Sequence, residues 1–185
     1  MSPHSPSHDV LRCTSPRGAR HALFAYPDDD ALRSWMGGRR FGPSLPPVSA
    51  QLEVRIQRVG VLPELTDDGL PLMTPRLRQA FDEAGVVNLD CYPAVVVNRQ
   101  ARRWDYVAFN IVGRIAAADP ARSVLHPSIP WVDRLVLVED ALRELSVCRL
   151  AESPDVILIR ADIKAHVEAS GISTLSFIAP GNWVG

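Results

Sequence analysis

Residues 72–93, LMTPRLRQAFDEAGVVNLDCYP, lie over residues 158–179, LIRADIKAHVEASGISTLSFIA, at a constant shift of 86 residues from Leu72 to Leu158. Leu77 then falls on Ile163, Phe81 on Val167, Gly85 on Gly171 and Leu89 on Leu175. In the first stretch Thr74 offers a capping hydroxyl and Pro75 suits the first helical position. Leu77, Ala80, Phe81 and Ala84 then form an i, i+3, i+4, i+7 stripe, and Gly85 supplies a left-handed stop. Leu70 and Leu72 flank Pro71, which predicts a brief strand at a sheet edge. After the helix the chain returns extended, and Pro93 is expected to break it into two pieces.

The second stretch repeats the plan with weaker material. DVILIR (155–160) reads as a buried strand, ADIKAHVEASG (161–171) as a short helix closed by Gly171, and ISTLSFI (172–178) as the returning strand. Its helix face is Ile163, His166, Val167 and Ser170. Duplication of one unit and independent convergence on the same cap, stripe and stop both produce this pattern. Either way the residue types are those of a packing element.

Working outward, QLEVRIQRV (51–59) alternates as a half-buried strand. The stretch around Trp104–Val112 is the longest candidate strand, rich in β-branched and aromatic residues. DPARSV (119–124) is a turn or one-turn helix, residues 131–145 run from a strand into a short helix, and SVCRLAESP (146–154) is extended and ends in a turn. The sum is an α+β fold: mixed sheets with short helices and two similar strand–helix–strand units. Residues 1–20, rich in Ser, Pro, His and Arg, read as a disordered leader. Residues 26–38 read as a short helix, with an aspartate near position 28 as its cap and Gly37 as its stop. Residues 21–185 form one domain, with a division into lobes at about 21–98 and 99–185 as the alternative.

Composition sets further bounds. The chain has 185 residues, 46% hydrophobic and 22% charged, ordinary for a globular protein. The net charge of −1 gives no overall footprint for nucleic acid or an anionic membrane. Residues 1–20 carry +2, from Arg12, Arg17 and Arg20 against Asp9, which leaves −3 on the remainder. Cys13, Cys91 and Cys148 are odd in number and unpaired in spacing, which points to a reducing compartment. With no signal-like start and only short apolar runs, the expectation is a cytoplasmic protein with no membrane partner.

The sequence holds no phosphate-cradling glycine motif, no GxSxG elbow, no HExxH and no tight Cys/His pairing. The expectation is therefore a binding protein with no catalytic residues, cofactor or metal. One enzymatic alternative is a dispersed site around His126 and Asp133. Another alternative is a regulatory nucleic-acid-binding module, in which Arg39–Arg40 and Arg102–Arg103 flank Trp35 and Trp104; the acidic balance argues against nucleic acid.

Three stretches in order resemble a family of bacterial immunity proteins of polymorphic toxin systems, typified by a myxobacterial member. They are LMTPRLRQAFDEAG, WDYVAFNIVGRIAAADPARS and SVCRLAESPDVILIRADIKAHVEASGISTLSFIAP, within roughly residues 50–180. The resemblance implies a protein that is no enzyme and that binds and neutralises a cognate toxin, often a nuclease, encoded next door. A mildly acidic body suits a basic nuclease. The candidate contacts are Asp28, Asp29, Asp30, Asp67 and Asp68, as phosphate mimics, with Trp35 and Trp183 as anchors. Self-association is compatible with all of this.

Overall fold

The computed structural model describes residues 7–13, 23–25, 35–41, 52–58, 60–67 and 70–185. The first unit begins with β4 (Leu65–Thr66) and β5 (Leu72–Met73), which pair antiparallel. Helix α1 (Pro75–Glu83) and strand β6 (Leu89–Val97) follow. Strand β7 (Arg103–Ile111) then inserts between β5 and β6, antiparallel to both. Parallel strands β5 and β6 thus enclose an antiparallel third.

The local chemistry follows the residues. The Thr74 hydroxyl accepts from the Leu77 amide at 3.2 Å and donates to Glu64, and Pro75 opens the helix. Leu77, Ala80 and Phe81 are buried, and Gly85 takes φ +78°. Two expectations need correction. Strand β5 lies inside the sheet, since its short run pairs with β4 and β7 on opposite sides. Pro93 does not break β6, which runs unbroken against β7 from Leu89 to Val97. β3 (Leu52–Arg58) joins β6, parallel, only from Ala94 onward. The flank of β6 at Pro93 therefore has no ladder that would demand an N–H.

The second unit repeats this topology. Strands β11 (Val147–Leu150) and β12 (Ile157–Arg160) pair antiparallel, helix α2 (Ala161–Ala169) follows, and β13 (Leu175–Ile178) closes the unit. The shift of 86 residues holds for both ends of the helices, for the first residue of the returning strands, and for the stop: Gly171 has φ +73°. The strand inserted between β12 and β13 is β1 (His8–Cys13), antiparallel to both.

That strand corrects the reading of residues 1–20 as a disordered leader. Val10 faces one core and Leu11 another, so both neighbours are buried and no alternation marks the strand. His8, expected to be a tail residue, is buried, with its Nε2 2.8 Å from the Leu145 carbonyl oxygen. Lys164 donates to Asp9 at 2.7 Å, and the Arg12 guanidinium lies 4.7 Å over the Trp183 ring.

Strands β2 (Leu23–Ala25) and β3 extend the first sheet, giving the order β2-β3-β6-β7-β5-β4. The short β8 (Arg114–Ile115), parallel to β11, extends the second to β13-β1-β12-β11-β8. The expected helix at 26–38 lies largely outside the described residues. At its end Gly38, not Gly37, takes the positive φ, +71°, and a Cβ there would stand 2.6 Å from that of Arg114.

The two units share one core. Leu77, Phe81, Ile163 and Val167 from the helices meet Met73 and Phe109 of the first sheet and Leu11 and Ile159 of the second. The helices touch, with Arg76 donating to the Ser170 carbonyl at the end of α2, at 2.8 Å. Strand β1 contacts β4, and β7 contacts β11. In each unit, then, the inserted strand meets the hairpin strand of the other, as a two-fold relation requires.

Hydrogen exchange tests the reassigned strand. The amides of Val10 and Leu11 are expected to exchange orders of magnitude more slowly than an unstructured chain. Free exchange there would restore the disordered leader.

Candidate interaction surface

Outside the two main sheets the chain from Ala117 to Val138 folds back on itself as one long arm. Val138 donates to Ala117, Asp119 to Val136, and His126 to Trp131, all through backbone groups at 2.8–2.9 Å. Two short strands, β9 (Val124–Leu125) and β10 (Val132–Arg134), pair within it. The turn expected at residues 119–124 forms at the arm's side. The Asp119 carboxylate accepts from the amides of Ala121 and Arg122, as an aspartate before proline favours. The expected short helix after the strand is a single 3-10 turn, Glu139–Leu142.

The arm has a largely buried base and an exposed tip. Ala117, Ala118, Val132 and Leu135 are buried on the outer face of the second sheet against Val10, Cys148, Leu150 and Leu158. Trp183 closes this layer, its indole N–H donating to the Val132 carbonyl at 2.9 Å. Toward the tip Val124, Leu125 and Ile129 stand in the open, and Ile129 is 54% exposed. Val138 is exposed at the arm's base, and so is Val184, whose neighbour Gly185 donates to the Asp133 carbonyl. Among the described residues the only other exposed large hydrophobic side chain is Val87. Apolar exposure gathered on one element marks an interaction surface more than single scattered side chains do.

The residues proposed from sequence lie elsewhere. Trp35 is 5% exposed and stacks edge-on against Phe41 and Tyr92, so it is a core residue and no anchor. Trp183 is equally buried, held by its bond to Val132 and by Arg12. Asp67 is no free phosphate mimic: both its oxygens accept from Arg149 at 2.6 Å, and Arg149 is wholly buried. Asp28, Asp29, Asp30 and Asp68 lie outside the described residues. His126 sits at the exposed tip, where its Nδ1 accepts from the Ser128 amide at 3.3 Å. The Asp133 carboxylate accepts from the Trp131 indole at 3.1 Å instead of pairing with His126. The arm itself escaped the sequence reading because its apolar residues look like core until the neighbouring layers are in place.

Two shallow grooves lie among the described residues. One, of about 410 Å³, lies at the arm's base and is lined by Arg122, Arg134, Val136 and Gly181. The other, of about 360 Å³, runs beside α1 and is lined by Arg78, Cys91, Tyr92, Pro93 and Asp105. Burial raises the Cys91 thiol pKa and, with help from Asp90, that of the Tyr92 hydroxyl. Among the described residues no cluster of His, Cys, Asp and Glu is placed to hold a metal ion. No helix among them is long and apolar enough to cross a membrane.

Scanned against protein-family models and curated proteins, the chain matches none.

Burial pushes the Cys148 thiol up to about 12. At pH 8 only about one thiol in ten thousand is then the reactive thiolate. Iodoacetamide at that pH is expected to leave Cys148 unmodified in the folded protein and to label it in denaturant, as read by peptide mass spectrometry. Rapid labelling in the folded state would contradict this packing.

Proposed function

We propose that this chain is an immunity-type protector: it acts by binding a cognate toxin, a nuclease among the activities the resemblance implies, in the cytoplasm of the cell that carries it. The observation that carries the reading is the arm, which bears four of the six exposed large apolar side chains among the described residues. The tip also carries Trp131, and Arg122 and Arg134 stand beneath it, residue types favoured in protein interfaces. The order of elements adds support. The three stretches that resemble the immunity family fall on β5 with the first unit's helix, on β7 with the arm's first limb, and on β11, β12, α2 and β13 of the second unit. Under this reading the two units are a rigid frame, and the arm is what the frame presents.

Co-expression with the product of the neighbouring toxin gene tests the proposal. The expected result is a co-purifying complex and restored growth of cells that make the toxin. If the two proteins neither co-purify nor restore growth, the proposal fails.

A further inference from the structure

From Ser123 to Val132 the arm reads SVLHPSIPWV, ten residues without a carboxylate, lysine or arginine. Leu125, Pro127, Ile129 and Pro130 are all exposed within it. This tip is also preformed. Its neck is closed by the His126 amide donating to the Trp131 carbonyl at 2.9 Å. Within it the Trp131 amide donates to the Ile129 carbonyl at 2.8 Å, and Ser128 donates to the His126 ring. Pro127 and Pro130 fix φ on either side of Ile129. Little backbone freedom is left to lose when a partner closes over such a tip, so its apolar area is turned into affinity at low entropic cost.

The charges stand below the tip in both signs. Arg122 is exposed beside Asp119, Arg134 donates to the Arg122 carbonyl at 3.0 Å, and Asp133 accepts from Trp131. An apolar centre with a mixed polar rim is the anatomy of a protein interface. An anionic bilayer would meet no basic excess there: Arg122 and Arg134 are matched by Asp119 and Asp133, and Arg143 is paired with Asp140.

Resting on the immunity reading above, we infer that the tip is a preformed apolar plug, with Ile129 at its apex, for an uncharged cleft on the toxin. This replaces acidic mimicry of a phosphate track as the mode of recognition. An apolar plug binds by excluding water, so its affinity is nearly independent of salt. Phosphate mimicry against a basic nuclease would be steeply screened.

The test measures binding of the full-length chain to the purified product of the neighbouring toxin gene at 50 and 500 mM salt. The wild-type chain is expected to change affinity by less than about 3-fold across that range. Ile129→Asp is expected to weaken binding by about 30-fold or more, the loss typical of a central anchor, while Ile129→Val stays within about 5-fold. Both substitutions lie on an exposed tip, and an unchanged thermal transition checks that each variant is folded. Binding by the wild-type chain that survives Ile129→Asp, or that falls more than 10-fold with salt, overturns the plug and leaves the immunity reading standing. Ile129-dependent association with phosphatidylglycerol vesicles, or with a second copy of the chain, also overturns it. Absence of any binding by the wild-type chain removes the immunity reading and the plug with it.

Discussion

A guanidinium closed off from water must be met by a carboxylate. Arg149, in β11 of the second unit, is wholly buried, and Asp67, just after β4 of the first, meets it with two parallel hydrogen bonds of 2.6 Å. The Pro154 carbonyl accepts a third bond from the same side chain. Taking both charges out of water costs about as much as their attraction returns, so the pair adds little net stability. What it supplies is a tie between the units, since Asp67 belongs to one and Arg149 to the other. Asn88 works to the same end, donating from the end of the first unit's helix loop to the carbonyls of Val112 and Val147 at 2.9 and 2.8 Å.

From that lock the rest follows in order. The two-fold relation sets the helices side by side over a common core, and each inserted strand against the hairpin strand of the other unit. The second sheet, so fixed, offers its outer face to the buried side of the arm through Val10, Leu150 and Leu158. The arm's tip, residues 124–130, is then left in water. Its exposure is thus a consequence of how the frame is assembled.

Local signals made the helices and most strands legible in the sequence. Thr74, Pro75, the Leu77–Phe81 stripe and Gly85 act within a few residues of one another, and their effect does not depend on the remainder of the fold. The shift of 86 residues was legible for the same reason. The features that stayed hidden are those set by distant partners. Strand β1 lies between two cores, so Val10 and Leu11 both turn inward and the period of two disappears. Asp67 resembles an ordinary turn residue, since its partner lies 82 positions away. Trp35 and Trp183 resemble anchors until Phe41, Tyr92 and Val132 are seen to cover them. The arm's tip resembles core, because exposure is a property of the assembled layers and leaves no mark on composition.

A lock through Arg149 and Asp67 predicts that the two units unfold as one cooperative body. Equilibrium denaturation of Asp67→Ala, followed through single-tryptophan variants that retain Trp35 over the first sheet or Trp183 over the second, tests it most directly. Leaving Arg149 buried and unpaired should cost about 3–5 kcal/mol, with both tryptophans reporting one coincident transition. Two separated transitions, or a midpoint unchanged from the parent, would contradict it.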